Sequence, residues 1–533
     1  MSARVMMRFM AIGVFLVCGA AMQAQPRTSS NAHNSGATPT PIPRPTPHPR
    51  PLPPITVTNT NDSGPGSLRQ VLADAHDGNL INFAAALNGQ IITLTSAELV
   101  IDKNITINGP GPNTVTVSRP FSNPPFRIFH VMPGHNVAIQ GLTISGGGML
   151  GEVGGGILND HATLTVSDCT VEFNGSAEVG GGICNDGSNG SATMTILNST
   201  ISGNTAPEAG GGGICNDGSN GSATLSILNS TISANFSPFA AGILNDSDQG
   251  TATLTMLDSL VNDNQSTGGN PPFNFGVAGG IANSGVMVIT NSTISGNLAS
   301  NDAGGILNDG TLTITSSTIT GNQAGAFGGN VYPGYGGGIS SDGPLTISNS
   351  TISGNTAAGN AFKGFGYGGG VGSSGTMAIS NSTITGNWAN IGGGIYNIIG
   401  PFETGNTIFN AGALGENIFN DGGTITSDGY NVSSDDGGGY LNGPGDQINT
   451  DPLLGPLEDN GGPTFTHALL PGSPATNAGD PNFIPPPYYD QRGPRFIRVF
   501  NGRIDVGSFE TQPIPPPFPT PRPRPTPAPR PTP

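Results

Sequence analysis

The sequence predicts an all-β protein, a right-handed parallel β-helix of three-stranded coils of about 25–33 residues with a short N-terminal capping helix. Three observations indicate this fold. The heptapeptide NSTISGN recurs with small changes, a glycine motif ending in Ile or Val precedes each copy, and large side chains are scarce, with 85 Gly and 6% aromatic residues among 533. A chain that repeats one short unit builds its core by stacking similar levels.

Each repeat unit contains three short strands. The unit that starts at Gly304, GGILNDGTLTITSSTITGN, has the runs GGIL, TLTI and STIT, in which apolar residues alternate with polar or small ones. Such alternation is typical of strands with one buried face, and the NDG and GN between the runs favour turns. Three strands and three turns make one coil of a parallel β-helix. The unit is too short for a propeller blade and lacks leucine-rich-repeat spacing.

Equivalent positions in successive coils should stack about 4.8 Å apart, the separation of paired strands. Two aliphatic columns and one asparagine ladder follow, and glycine before the asparagine should supply a backbone geometry closed to other residues. Stacked amides can hydrogen-bond along such a ladder. The first column is Ile201, Ile232, Val261, Ile294, Ile319, Ile352 and Ile384; the second is Leu164, Met194, Leu225, Leu254, Met287, Leu312, Leu345 and Met377; the ladder is Asn174, Asn204, Asn235, Asn264, Asn297, Asn322, Asn355 and Asn387.

The chain divides into six predicted segments. Residues 1–24 are a predicted secretory signal peptide, because Arg4 and Arg8 precede an apolar run too short to span a bilayer. A Pro-rich linker at 25–54 and a Pro/Arg-rich tail at 512–533 are expected to be extended spacers. Residues 55–127 form the N-terminal cap and first coils, with a helical pattern at Gly66–Ala75; 128–400 form the repeat β-helix; and 401–511 form irregular C-terminal coils with a terminal module.

The net charge of the chain limits the classes of molecule that it can bind. The formal net charge is −17, and Lys363 is the only Lys or Arg between Arg127 and Arg492. Such a surface repels nucleic acid. The predicted signal peptide indicates export, and we expect a monomer at the cell surface, in the outer membrane or in the extracellular space. Its mature chain should have no transmembrane segment, and its partner should be a glycan or a cell-surface molecule.

Several motifs resemble those of bacterial surface β-helix proteins in the pectin-lyase-like superfamily. The GGGI and ISGN motifs resemble the GGA-I and F-x-x-N repeats of polymorphic outer membrane proteins, with Phe173-Asn174 nearest to the second. The stretch at 451–510, which begins DPLLGPLEDNGGPTF and ends RIDVGSFE, resembles the choice-of-anchor Q module, although Arg503 stands where that pattern has a cysteine. The resemblance implies an exported, surface-displayed protein of the adhesin type; some β-helix relatives are polysaccharide lyases or hydrolases.

Residue types favour a non-catalytic protein over an enzyme. A lyase acting on uronate polymers needs a base, commonly Arg or Lys, and often Ca²⁺ held by Asp; a hydrolase needs converging carboxylates. The repeat coils contain no Arg, and the adjacent pair Asp435 and Asp436 lies in the turn-like SSDDGGG. The sequence therefore predicts no catalytic residues and no cofactor apart from structural calcium. The alternative is a polysaccharide lyase or glycoside hydrolase on the same fold.

Aspartates and cysteines each occupy one repeated position. Four aspartates follow the Asn of the glycine motif, and we expect them either to cap their turns or to hold Ca²⁺ between levels. Cys184 and Cys215 follow GGGI in adjacent coils, either in a small apolar column or within disulfide distance. The candidate Ca²⁺ ligands are Asp160, Asp186, Asp217 and Asp246.

One row of threonines should point outward from the coils. Threonine favours strands, which accounts for the row without any binding role, although ice-binding β-helices present a similar flat array of hydroxyl groups. Leu260 interrupts the row. Its members are Thr200, Thr231, Thr293, Thr318, Thr351 and Thr383.

Overall fold

Three long parallel sheets wind around one apolar core. The computed structural model describes residues 52–122, 124–148, 153–268, 276–325, 333–359, 364–410 and 412–513. In chain order within a coil, sheet 1 has 12 strands, sheet 2 has 14 and sheet 3 has 13. Neighbouring strands in each sheet come from successive coils and run parallel. The predicted right-handed parallel β-helix is confirmed.

The strands are short, as the repeat unit requires. Sheet 1 contains Leu99–Ile101, Phe129–Val131, Ile157–Asp160, Ile183–Asp186, Ile214–Asp217, Ile243–Asp246, Ile281–Asn283, Ile306–Asn308, Ile339–Ser341, Val371–Ser373, Ile395–Asn397 and Ile418–Asn420. Sheet 2 contains Ile55–Val57, Leu80–Phe83, Thr106–Asn108, Asn136–Gln140, Thr163–Ser167, Ser191–Leu197, Ser222–Leu228, Thr251–Leu257, Val286–Thr290, Thr311–Thr315, Leu345–Ser348, Met377–Ser380, Phe402–Gly405 and Ile425–Gly429. Sheet 3 contains Gln90–Thr93, Val115–Ser118, Thr143–Ser145, Thr170–Glu172, Thr200–Ser202, Thr231–Ser233, Leu260–Asn262, Thr293–Ser295, Thr318–Thr320, Thr351–Ser353, Thr383–Thr385, Ile408–Asn410 and Val432–Ser433.

Two smaller sheets complete the strands. A parallel sheet of five two-residue strands lies just beyond the asparagine ladder, and an antiparallel hairpin lies near the C-terminus. Two short 3₁₀ helices, Ala85–Leu87 and Gly437–Gly439, complete the regular elements of the described residues. The five strands are Gln265–Ser266, Leu298–Ala299, Gln323–Ala324, Thr356–Ala357 and Trp388–Ala389, and the hairpin strands are Leu454–Glu458 and Thr466–Leu469.

The register follows the repeat and forms the core. Leu164 pairs with Met194 in sheet 2, and Val171 pairs with Ile201 in sheet 3. All members of the two predicted aliphatic columns are buried. Burying one such side chain contributes roughly 1.5–3 kcal/mol, so a repeated small core can stabilise a long chain. Both columns are therefore confirmed.

A short helix, Leu68–Asp74, packs at the N-terminal end of the coils. Ser67 is its N-cap, because the Ser67 hydroxyl accepts a hydrogen bond from the Gln70 backbone N–H at 3.2 Å. Leu68, Val71 and Leu72 are buried against the first strands. The helix thus covers apolar side chains at the end of the stack, as the sequence predicts.

The boundaries of predicted segments that lie outside the described residues stay predictions. The predicted signal peptide at 1–24, nearly all of the linker at 25–54 and of the tail at 512–533, and Lys363 lie outside the described residues. The β-helix belongs to the unit of the chain that begins at Pro53. Within the part that the structure describes, every helix is too short or too polar to cross a bilayer.

Candidate functional site

The predicted asparagine ladder is continuous. Each amide nitrogen donates to the side-chain oxygen of the next coil's asparagine at 2.9–3.0 Å. The same oxygen accepts the backbone N–H of the preceding asparagine, at 3.0–3.1 Å. The second amide hydrogen reaches a backbone carbonyl; Asn297, for example, donates to Val261 at 2.9 Å. These buried side chains are satisfied by one another and by the backbone, which identifies them as structural residues.

The backbone before the ladder is left-handed but not restricted to glycine. Gly203 and Gly296 have φ of 64° and 63°, as predicted. Phe173, Ala234 and Asp263 adopt φ of 52–55° at the same turn. The expectation that only glycine fits is therefore wrong. The ladder's hydrogen bonds can compensate for the modest strain of an L-residue in this region.

A second asparagine ladder lies at the end of the sheet 1 strands and was not predicted. Its amides are linked at 2.7–2.8 Å, and its last amide donates to Ser341 Oγ at 2.9 Å. The recurring I-x-N after the glycines was the available sequence signal. Its members are Asn159, Asn185, Asn216, Asn245, Asn283 and Asn308.

The four candidate calcium ligands stack in register but have different partners. The strands pair Asp160 with Asp186, Asp186 with Asp217, and Asp217 with Asp246. The last three accept backbone N–H groups two residues ahead at 2.8–3.2 Å, as turn-capping aspartates do. Burial raises the pKa of Asp217, with its neighbours in the column adding to the effect. Asp160 instead contacts histidines.

Asp160 belongs to a cluster that links the first coils of sheet 1. Its carboxylate contacts His161 Nδ1 and lies 3.4 Å from His130 Nε2. His130 Nδ1 lies 3.2 Å from Glu98 Oε1, and Arg127 Nε lies 3.1 Å from the other Glu98 oxygen. The hydrogen bond to Glu98 raises the pKa of His130 against the effect of burial. The hydrogen bond to Asp160, with that to a backbone carbonyl, raises the pKa of His161.

Cys184 and Cys215 are in register and both are free thiols. Each is about 1% exposed, in an apolar cluster outside sheet 1 that includes Leu158 and Leu244. The hydrogen bond between the thiols lowers the pKa of Cys184, but burial and nearby carboxylates outweigh it, so that pKa is raised. The same hydrogen bond raises the pKa of Cys215, and burial adds to the effect. The structure therefore has the small apolar column and not the disulfide.

The C-terminal segment, defined as residues 451–511, covers half of the threonine row. Gln491 is fully buried between it and sheet 3: its amide donates to Thr318 Oγ1 at 2.8 Å and accepts from Thr351 Oγ1 at 2.7 Å. The Ser508 backbone N–H donates to Thr383 Oγ1 at 3.1 Å. These three threonines are therefore contacts within the chain rather than part of an open array.

A groove of about 660 Å³ lies on sheet 3, at the edge of the area that the C-terminal segment covers. Its floor is the outer face of sheet 3 with the preceding turn, and its wall is the tip of the C-terminal hairpin. Phe465 on the wall is 53% exposed, and its carbonyl accepts from the floor residue Thr318 at 2.7 Å. The lining residues are Asn229, Ser230, Thr231, Asp258, Ser259, Leu260, Asn291, Thr293, Thr318, Thr320, Pro463, Thr464 and Phe465.

The groove has a polar floor and an aromatic wall. Thr231 and Thr293 present hydroxyl groups on strands of sheet 3, and Asn229 and Asn291 present amides from the turns. Of the described residues that line it, only Asp258 has an ionisable side chain. The site can therefore donate and accept neutral hydrogen bonds beside an apolar ring.

Comparisons with known proteins found a structural likeness but no family. No protein-family model matches the chain, and no curated protein matches it. Among solved structures, the chain is similar to that of pectate lyase Pel9A, at 14% identity with a TM-score of 0.35. That likeness covers 86% of this chain and 98% of the other.

Proposed function

We propose that this protein is an exported, surface-associated, non-catalytic β-helix of the adhesin or cell-envelope binding type. The groove beside Phe465 is then its binding site, and a neutral glycan is its ligand. The observation that carries the proposal is the lining of the groove: hydroxyl and amide side chains on the floor, and an exposed aromatic ring on the wall.

This lining matches the chemistry of an uncharged sugar chain. Sugar hydroxyls exchange hydrogen bonds with Thr, Ser and Asn side chains, and the C–H face of a sugar ring packs against an aromatic ring. Parallel strands are about 4.8 Å apart, so the Thr231 and Thr293 hydroxyls lie two levels, about 9.6 Å, apart along the floor, which suits an extended polymer. The strands that carry Thr231 and Thr293 flank the strand of Leu260, which gives the floor an apolar patch.

Charge favours a neutral chain over a polyuronate. Asp258 is exposed in the groove, and the formal net charge is −17. A uronate polymer would meet repulsion along this surface. A glycosidase needs two carboxyl groups on either side of the scissile bond, and the single carboxylate of the groove does not supply that pair.

The predicted signal peptide, Pro-rich flanks and C-terminal module support surface display. In this proposal the signal peptide directs export, the stacked coils hold the groove rigidly, and the C-terminal segment is a module of the choice-of-anchor type that closes one side of the groove. The Pro-rich flanks are spacers between the β-helix and the envelope.

The test is retention of the protein on immobilised neutral polysaccharides and on a polyuronate, for wild type, Phe465→Ala and Phe121→Ala. Phe121 is 76% exposed outside the groove and serves as the matched control. We expect retention by at least one neutral polysaccharide. Affinity should fall roughly 10-fold or more in Phe465→Ala, about 1.4 kcal/mol, and be unchanged in Phe121→Ala. Equal binding by both variants, or retention by polyuronate alone, would refute the proposal.

A further inference from the structure

The cluster around Asp160 brings together nitrogen and oxygen donors. Ligand atoms of Asp160, His161 and Asp186 all lie within 4.8 Å of one another. Asp160 and Asp186 are paired in sheet 1, so the fold itself sets their separation. Bonds from imidazole nitrogen or carboxylate oxygen to Zn²⁺ are about 2.0–2.2 Å long, so one ion can reach all three groups.

In both His161 and His130, one ring nitrogen lies near Asp160 and the other lies near a different oxygen atom. His161 Nε2 lies 2.6 Å from the Ser188 carbonyl oxygen, while Nδ1 faces Asp160. His130 Nδ1 lies 3.2 Å from Glu98 Oε1, while Nε2 lies 3.4 Å from Asp160 Oδ2. Metal-ligating histidines typically donate their second N–H to a carbonyl or carboxylate, which fixes the tautomer and ring orientation. Both imidazoles have that arrangement.

His161 stands directly after the first aspartate of the column, in a turn. His161 has φ of 50°, in the left-handed region that most side chains avoid. In the next two coils the residue after the equivalent aspartate is Gly187 and Gly218. The repeat therefore does not require an imidazole at this point.

We propose that Asp160, His161 and Asp186 form a binding site for a divalent transition-metal cation of the Zn²⁺ class, with His130 contacting the Asp160 carboxylate from the preceding strand. Ca²⁺ takes six to eight oxygen ligands, whereas imidazole nitrogen suits Zn²⁺ and its neighbours. The bound cation would link two successive strands of sheet 1, those containing Asp160 and Asp186.

The donor set distinguishes this site from the rest of the aspartate column. Asp217 and Asp246 cap their own turns as Asp186 does, but they continue the column away from His161 and are followed by Gly218 and Ser247. Asp217 therefore supplies a matched control: it has the same register position without the nitrogen donor. The proposal does not depend on the function of the groove, which lies on sheet 3.

The test uses the untagged full chain and the metal ions alone. Calorimetric titration with Zn²⁺ and with Ca²⁺, thermal unfolding with each ion, and the visible spectrum of the Co²⁺ form are measured for wild type, His161→Gly, Asp186→Asn and Asp217→Asn. We expect saturable Zn²⁺ binding that raises Tm, because a ligand of the folded state stabilises it. Affinity should fall roughly 10–100-fold in His161→Gly and Asp186→Asn and be retained in Asp217→Asn.

Several results would overturn the proposal: no Zn²⁺ binding and no Co²⁺ absorption by wild type, equal Zn²⁺ affinity in wild type and His161→Gly, or equal responses to Zn²⁺ and Ca²⁺. Glycine readily adopts positive φ, so His161→Gly should fold, and circular dichroism of the metal-free variants checks this. The Co²⁺ spectrum of wild type decides the question even if a variant fails to fold.

Discussion

Asn297 shows how one side chain supports three coils. Its amide donates to Asn322 Oδ1 and to the Val261 carbonyl, both at 2.9 Å, and its own oxygen accepts from Asn264. The side chain is fully buried. Removing it leaves the backbone and amide groups of neighbouring coils without partners, and buried unpaired groups are costly.

Asn297→Ala should therefore lower the free energy of unfolding by about 1–3 kcal/mol. Asn136 is an exposed asparagine at the start of a sheet 2 strand and provides the control. Asn136→Ala should change stability by no more than about 0.5 kcal/mol. Denaturant unfolding of the two variants measures the difference. Equal midpoints would show that the ladder contributes no more than a surface amide.

Asp302 is a partly buried carboxyl group beside Val277 and Ala303 of the apolar cluster outside sheet 1. It pairs with Val277 in the column of residues that covers sheet 1 from outside. Burial raises the pKa of Asp302 from its ordinary value of 3.8 to about 7. Asp342 and Asp309 add to the effect, while hydrogen bonds from Ser340 and the Ala303 N–H oppose it.

The raised pKa of Asp302 predicts a loss of stability with rising pH. Between pH 3.8 and about 7 the folded chain holds a proton at Asp302 that the unfolded chain has released, so unfolding becomes easier as pH rises through this window and then levels off. Asp302→Asn should remove this component and be more stable than wild type at pH 8. Thermal unfolding at pH 5 and pH 8 measures it, with exposed Asp459→Asn as control. An unchanged pH dependence in Asp302→Asn would contradict the prediction.

At the scale of the element, the structure of each coil could be predicted from the sequence, but the packing of the C-terminal segment on sheet 3 could not. Stacking in register makes Ile201 or Asn204 equivalent to its repeats, so one coil predicts the next. The contacts of Gln491 have no such period: Thr318 and Thr351 lie 173 and 140 residues from it in the chain. The sequence analysis named Asp160 and Asp186 as candidate metal ligands but missed the neighbouring histidines for the same reason, since each histidine occurs once rather than at a repeated position.

The junction between the C-terminal segment and sheet 3 can be tested through Gln491. Its amide also donates to Thr464 Oγ1 at 2.9 Å, so it joins the segment to the sheet. Gln491→Ala leaves these buried hydroxyls with fewer partners and should loosen the segment while the stacked coils persist. Limited proteolysis should cut residues 451–511 several-fold faster than in wild type.

The partly exposed Gln512 offers the matched control, because its amide makes a single 3.3 Å bond to the Ile497 carbonyl. Gln512→Ala should be cut at the wild-type rate. Equal cleavage of both variants would mean that Gln491 does not hold the segment in place.

At the scale of the whole molecule, repetition supplies a scaffold and its irregular parts supply the chemistry. The ladders and aliphatic columns are satisfied internally, so they present little to a partner. The groove forms because the non-repeating C-terminal segment covers only part of sheet 3, and Phe465 lies at the edge of the covered part. The combination of one rigid floor, one aromatic wall and a negative surface fits recognition of an uncharged polymer.

The central claim is that this β-helix binds a polysaccharide without cutting it. The direct measurement is the chain-length distribution, by size-exclusion chromatography, of the neutral polysaccharide that the protein retains and of a polyuronate, each incubated with the protein in the presence of Ca²⁺. The account predicts retention of the neutral polymer with an unchanged length distribution for both. Progressive shortening of either polymer that is abolished by Phe465→Ala would contradict it and identify the groove as an active site.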